Sequence, residues 1–195
     1  DTVNIDGHTI TFKDSTHIVI DSLRIGGTNS SPVQGILNFG LVPASKTLEL
    51  RSIFLDENGL ITSLAGSRED TLKVWQDFRN NSTVSQNLRR DLTNVTHIAF
   101  TDTTNSRLYG TGNWGRLGNV ILNKTGGLSD SLFIESAKFA DATDTTQSFN
   151  MVLKSGILYH DIDDTLSLSS TNNPVDLSSN TGITVKQGVV KSKST

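Results

Sequence analysis

The sequence predicts an all-β chain, mainly an antiparallel sandwich or barrel, with one helical insertion at about 67–92. Three observations predict it. Ser, Thr and Asn fill 63 of 195 positions while charged residues make up only 19%. That composition suits pleated surfaces and turns, not helices rich in Ala, Glu, Lys and Leu. Apolar and polar residues alternate through many short segments, and turn residues recur about every ten positions. At this length one domain, 1–195, can bury a core without disulfides or metals to staple it.

Taken in order, "VNIDGHTITFKD" and "THIVIDSLRIGG" alternate through Val3, Ile5, Ile10, Phe12, Ile18, Ile20, Leu23 and Ile25, with Asp6-Gly7 and Lys13-Asp14-Ser15 as turn material. "QGILNFGLV" and "KTLELRSIFLD" read as further strands, and Glu57-Asn58-Gly59 as a hairpin into "LITSLAG". The pattern then changes. Ser67 stands as an N-cap before acidic residues, with Thr71, Leu72, Trp75 and Phe78 at helical spacing, and a second helical stretch places Val84, Leu88 and Leu92 four apart. On this reading Trp75 anchors the helix to the sheet, and Asp70, Lys73, Asp77, Arg79, Arg89, Arg90 and Asp91 form its solvated face. Strands resume with "NVTHIAFTD" and continue through "SRLYGT", "LGNVILN", "DSLFIESAKFAD", "QSFNMVLKSGILYHDI" and "GITVKQGVVK". Pro174 interrupts a polar stretch, so 170–195 reads as an extended C-terminal arm.

Composition excludes several functions. The formal net charge is −3 and no long basic run breaks it, so the footprint for gripping nucleic acid is missing. No apolar stretch reaches the roughly 18 residues needed to insert in a bilayer as a helix. The chain opens on Asp1, which reads as a processed product or a fragment. Cysteine is absent, removing thiol nucleophiles and thiolate metal sites. His8, His17, His97 and His160 are scattered, and "HDIDD" lacks the central glycine of a calcium loop, so neither a metal nor a cofactor is expected. No G-x-S-x-G elbow occurs, and the catalytic set is empty.

The stretch "LYGTGNWGRLG" spaces Gly110, Gly112 and Gly115 as a dinucleotide loop would. Gly118 and the run Val120-Ile121-Leu122 follow it, so the helix that would hold a pyrophosphate is not expected. The ligand-binding candidates lie here instead: Tyr109, Asn113, Trp114 and Arg116 combine flat apolar faces with polar donors, a set suited to a sugar ring. Residues 97–118 resemble a blade motif of the regulator-of-chromosome-condensation propellers, with His97, Ala99, Thr101, Tyr109, Gly110 and Gly115-Arg116-Leu117-Gly118 in matching places. The likeness occurs once, whereas a closed propeller needs several blades, so it is taken as convergence on a strand, glycine turn, strand solution.

The first 26 residues also resemble, in their short strands and polar turns, bacteriophage tail, fibre and other virion appendage proteins. That resemblance and the composition imply a non-enzymatic structural or adhesive component of a virion or extracellular assembly, with the same chain and other assembly proteins as partners. Short strands with unpaired edges add the expectation of a homo-oligomer. Two alternatives stay open. One is a carbohydrate-binding β-sandwich module meeting a cell-surface glycan; the other is a hydrolase with strand-borne carboxylates such as Glu49 and Glu135.

Overall fold

The structure, a computed structural model, describes residues 1–12, 17–27, 33–40, 45–62, 68–84, 88–89, 94–112, 119–135, 150–160 and 175–176. In it the strands do not pair with their neighbours in sequence. They wind as a parallel β-solenoid in which each strand lies beside the equivalent strand of the previous turn.

Three sides carry the strands. One consists of the first half of β3 (His17–Ile25), the first half of β5 (Thr47–Leu55), β7 (Arg68–Val74), β10 (Asn94–Phe100), β12 (Asn119–Asn123), β14 (Asn150–Ser155) and β16 (Val175–Asp176). The second consists of β1 (Thr2–Ile5), the later halves of β3 and β5, β8 (Asp77–Asn80), β11 (Ser106–Tyr109), β13 (Ser131–Glu135) and β15 (Ile157–His160). These two sides are one bent sheet, because β5 pairs with β7 through 47–50 and with β8 through 53–55. The third side is a separate four-stranded sheet of β2 (Thr9–Thr11), β4 (Gly35–Asn38), β6 (Gly59–Thr62) and β9 (Leu88–Arg89).

Stacking turns puts like residues over like. Ile18, Leu48, Leu72, Ile98 and Val120 are in register on the first side, as are Ile20, Leu50, Val74, Phe100 and Leu122. On the second side Val3, Leu23, Ile53, Phe78, Leu108 and Ile134 make the same kind of column. The third side contributes Ile10, Leu37, Ile61 and Leu88. All but the exposed Ile10 meet in one core, and each fully buried Leu, Ile or Phe adds about 1.5–3 kcal/mol.

This overturns the sandwich or barrel. Alternation of apolar and polar residues points to antiparallel pairing because parallel sheets are usually covered on both faces. A solenoid is the exception, since its inner faces pack on one another while its outer faces meet water. The turn signals mark corners, not hairpins. Asn58-Gly59 leads β5 into β6, yet β6 pairs with β4 and β9 and not with β5.

The helical insertion is also overturned. Residues 68–80 form β7 and β8, and Leu88-Arg89 form β9; among the described residues the helical content is one 3-10 turn, Gly127–Ser129. The inward side chains are Leu72 and Val74, then Phe78 and Asn80. Each pair keeps the two-residue period of a strand, but the corner at Trp75-Gln76 widens the gap between pairs to four, which imitates helical spacing. Asp70, expected on a solvated helix face, is 0% exposed and accepts the Lys46 backbone N–H at 3.0 Å. Trp75 anchors no helix; from the corner after β7 its indole N–H donates to Glu49 Oε1 of β5 at 2.9 Å.

Candidate binding face

The outward residues of the second side form two rows running along the solenoid. In the first, Asn4, Arg24, Phe54, Arg79, Tyr109 and Glu135 stand side by side. In the second, Asp77, Arg107, Phe133 and Tyr159 do so. Strand alternation produces this arrangement: Leu23, Ile53, Phe78, Leu108 and Ile134 point inward, so their sequence neighbours must point out.

Ion pairs and ring contacts tie the rows together along and across their length. Arg24 and Arg79 lie over the Phe54 ring, 5.5 and 5.1 Å from its centroid. Both guanidiniums then converge on Asp56, Arg24 Nη1 on Oδ2 at 2.8 Å and Arg79 Nη2 on Oδ1 at 2.6 Å. Arg107 lies 5.0 Å from the Tyr109 ring centroid and makes a bidentate pair with Asp77, Nε at 3.1 Å and Nη2 at 2.9 Å. That hydrogen bond and the Asp77 charge raise the Arg107 pKa above the ordinary arginine value. Further along, Phe133 and Tyr159 stack with centroids 4.9 Å apart. What the rows offer outward is therefore ring edges, the Tyr109 and Tyr159 hydroxyls, and guanidinium N–H groups, in a repeat set by the strand spacing of about 4.8 Å.

Beside the first row lies an open hollow of about 360 Å³ lined by Asn4, Asp6, Arg24, Gly26, Gly27 and Asp56. Gly26 makes this corner with φ +88, and a Cβ there would fall 2.8 Å from the Gly59 Cα of the next turn. Only glycine combines that backbone with so close an approach.

Of the sequence-derived ligand candidates, Tyr109 stands half-buried on the first row. Asn113, Trp114 and Arg116 lie outside the described residues. The glycine spacing that singled out this stretch has a local cause: Gly110 sits at φ +122, where a Cβ would run into the Asn80 carbonyl of the adjacent turn. The residues likened to a propeller blade run through β10 and β11, which pair with separate parallel neighbours on different sides. Among the described residues no group of three His, Asp or Glu side chains could hold a metal ion, and no helix is long and apolar enough to cross a membrane.

Two lysines escaped the sequence reading altogether. Lys46 and Lys124 are 3% and 1% exposed, inside two different corners. The Lys124 ammonium donates to Thr101 O at 2.9 Å and Thr104 O at 2.7 Å, to the Ser106 hydroxyl, and to Trp75 O at 3.4 Å, joining three successive turns. Burial lowers its pKa to about 8, against the opposing charges of Asp130 and Asp102. Lys46 Nζ reaches the Phe12 and Phe39 carbonyls of two earlier turns. Nothing in "SKTLEL" or "NKTGG" distinguishes these lysines from surface ones.

Compared with protein families, with curated proteins and with solved structures, the chain finds no match.

Proposed function

We propose that this chain is a non-enzymatic structural and adhesive component of an extracellular or virion assembly, of the phage tail, fibre or capsid-decoration type. One observation carries it. The outer rows of the second side are cross-linked from turn to turn by ion pairs and ring contacts, so the solenoid is braced on its surface as well as in its core. A body built that way suits holding a shape and presenting a side. The second reading, carbohydrate recognition, is supported by Tyr109, Phe133 and Tyr159 lining one outer side beside arginines and carboxylates. It is a property such an adhesive side would have, and the hydroxyl-rich surface of a cell-envelope glycan matches the hydrogen-bonding groups along these rows.

The test incubates labelled protein with intact bacterial cells and with isolated envelope glycans. Retention is expected, with no reducing ends released and no ester hydrolysed. Turnover of either kind overturns the reading in favour of a hydrolase. Loss of retention in Tyr109→Ala places the contact on the rows, and loss only in Trp114→Ala moves it to the 113–116 segment.

A further inference from the structure

The corner just past the ends of β1, β3 and β5 holds the hollow of about 360 Å³, and its groups differ from those of the rows beside it. Asn4 and Asp6 are exposed there, and neither side chain is drawn into an ion pair or hydrogen bond with another described residue. Arg24 gives Nη1 to Asp56 at 2.8 Å but stays 43% exposed, so its other N–H groups face outward. Asp56 has both oxygens taken by Arg24 and Arg79 and is only 6% exposed; it fixes the guanidinium and does not meet solvent itself. The floor carries no side chain. Gly26 and Gly27 form it, and a Cβ on Gly27 would fall 2.6 Å from Asp6 Oδ1. Backbone bonds between turns tie the corner, from Gly26 N–H to Ile5 O at 2.8 Å and from Asp56 N–H to Ile25 O at 2.9 Å. A hollow fixed in this way is formed before a ligand arrives, and little ordering cost is left for binding.

We infer that this hollow binds one neutral hexopyranose residue of a glycan, with the Asp6 carboxylate accepting from neighbouring ring hydroxyls while Arg24 and Asn4 donate to others. The pairing of charges selects this class. An acidic sugar would meet the Asp6 carboxylate, and a cation, whether a metal or an amino sugar, would meet the Arg24 guanidinium. A hydroxyl both donates and accepts, so a ring carrying several satisfies the carboxylate, the guanidinium and the amide together. Size agrees. Small-ligand pockets run from roughly 300 to 1,000 Å³. At about 360 Å³ the hollow lies near the bottom of that range, with room for a single ring.

The experiment titrates the isotopically labelled 195-residue chain with methyl glucoside, methyl galactoside and methyl mannoside, and separately with glucuronate and glucosamine, following the backbone amide resonances. At least one neutral glycoside is expected to shift the Gly26 and Gly27 amides, and both charged sugars should bind about tenfold more weakly or worse. Asp6→Ala should weaken the neutral glycoside by about tenfold or more, because it removes a charged acceptor. Gly27→Ala, whose new Cβ displaces the Asp6 carboxylate, should do the same while keeping the wild-type circular dichroism and melting curve. No shift with any neutral glycoside, shifts confined to the Tyr109 and Tyr159 amides, charged sugars that bind as tightly as neutral ones, or an unchanged affinity in Asp6→Ala each overturns the inference. It rests on the carbohydrate reading above, but the two fail separately. Retention on cells that persists while no glycoside shifts the corner overturns only the hollow, and a corner that binds a glycoside in a chain that cells do not retain overturns only the adhesive role.

Discussion

The inside and the outside of the coil handle charge in opposite ways. Inside, Lys46 and Lys124 are nearly sealed from solvent, and their ammonium groups donate to backbone carbonyls of neighbouring turns. Outside, Arg24, Arg79 and Arg107 keep side-chain exposures of 43%, 26% and 49%, lie on aromatic rings and meet carboxylates. The internal contacts are few and cannot be replaced by water. The external ones are many, and water competes for each. Removing a charge from the inside should therefore damage folding, and removing one from the outside should mainly alter the surface.

The sharpest break of that comparison is Lys124→Met, which keeps an apolar stem but leaves the Thr101 and Thr104 carbonyls and the Ser106 hydroxyl without their donor. We expect a loss of about 3 kcal/mol in urea unfolding, since each buried acceptor left unsatisfied costs about 1–3 kcal/mol. The pH dependence tests the same group. Its folded pKa, about 8, lies below the ordinary lysine value of 10.5, so between these the unfolded state holds more protons. Stability of wild type relative to Lys124→Met should then rise as pH climbs from about 8 to 10.5 and stay flat below that window. A flat difference across it would mean that the carbonyl cage holds the ammonium charged throughout.

These lysines also mark where sequence stops being informative. Strand positions are legible wherever a two-residue alternation survives, as in Ile18-Ile20 and Leu48-Leu50. Pairing direction is not, because parallel and antiparallel strands share that period. The repeat itself is hidden by uneven turns: register runs from Ile5 to Ile25 in one place and from Val120 to Met151 in another, so no fixed period exists to detect. The 67–92 segment misleads for a related reason, since a corner between two short strands produces helical spacing by accident. On the binding face, Tyr109 could be picked out as an aromatic beside a glycine turn. Its neighbours Phe54, Arg79 and Phe133 could not, because they come together only through stacking of turns 25 to 30 residues apart, as Phe54 on Arg79 and Arg79 on Tyr109 show.

An intermediate case sharpens the comparison. Asp56 belongs to the outer network, yet its side chain is only 6% exposed and it serves two guanidiniums. Asp56→Ala should cost about 2 kcal/mol, in line with charge-assisted hydrogen bonds removed from a largely desolvated site. Asp56 helps hold Arg24 and Arg79 over Phe54, so without it the ring contacts weaken and a double substitution with Phe54→Ala should cost less than the sum of the two alone. Strict additivity would show that the ring and the carboxylate act independently, and that the row is not one network.

The smallest effect belongs to Arg107→Ala. Its pair with Asp77 has good bidentate geometry, but the arginine side chain is 49% exposed and the pair sits where salt and water screen it. Removing it should change stability by less than about 1 kcal/mol, and most of that change should vanish at about 1 M salt. The same substitution uncovers one face of the Tyr109 ring, which Arg107 now covers. If the rows bind a glycan by stacking, Arg107→Ala should therefore tighten retention on envelope glycans. If they bind through guanidinium hydrogen bonds, it should weaken it. Stability measured beside retention separates the bracing role of this side from its adhesive one, because only the second is expected to move by more than the screened ion pair allows.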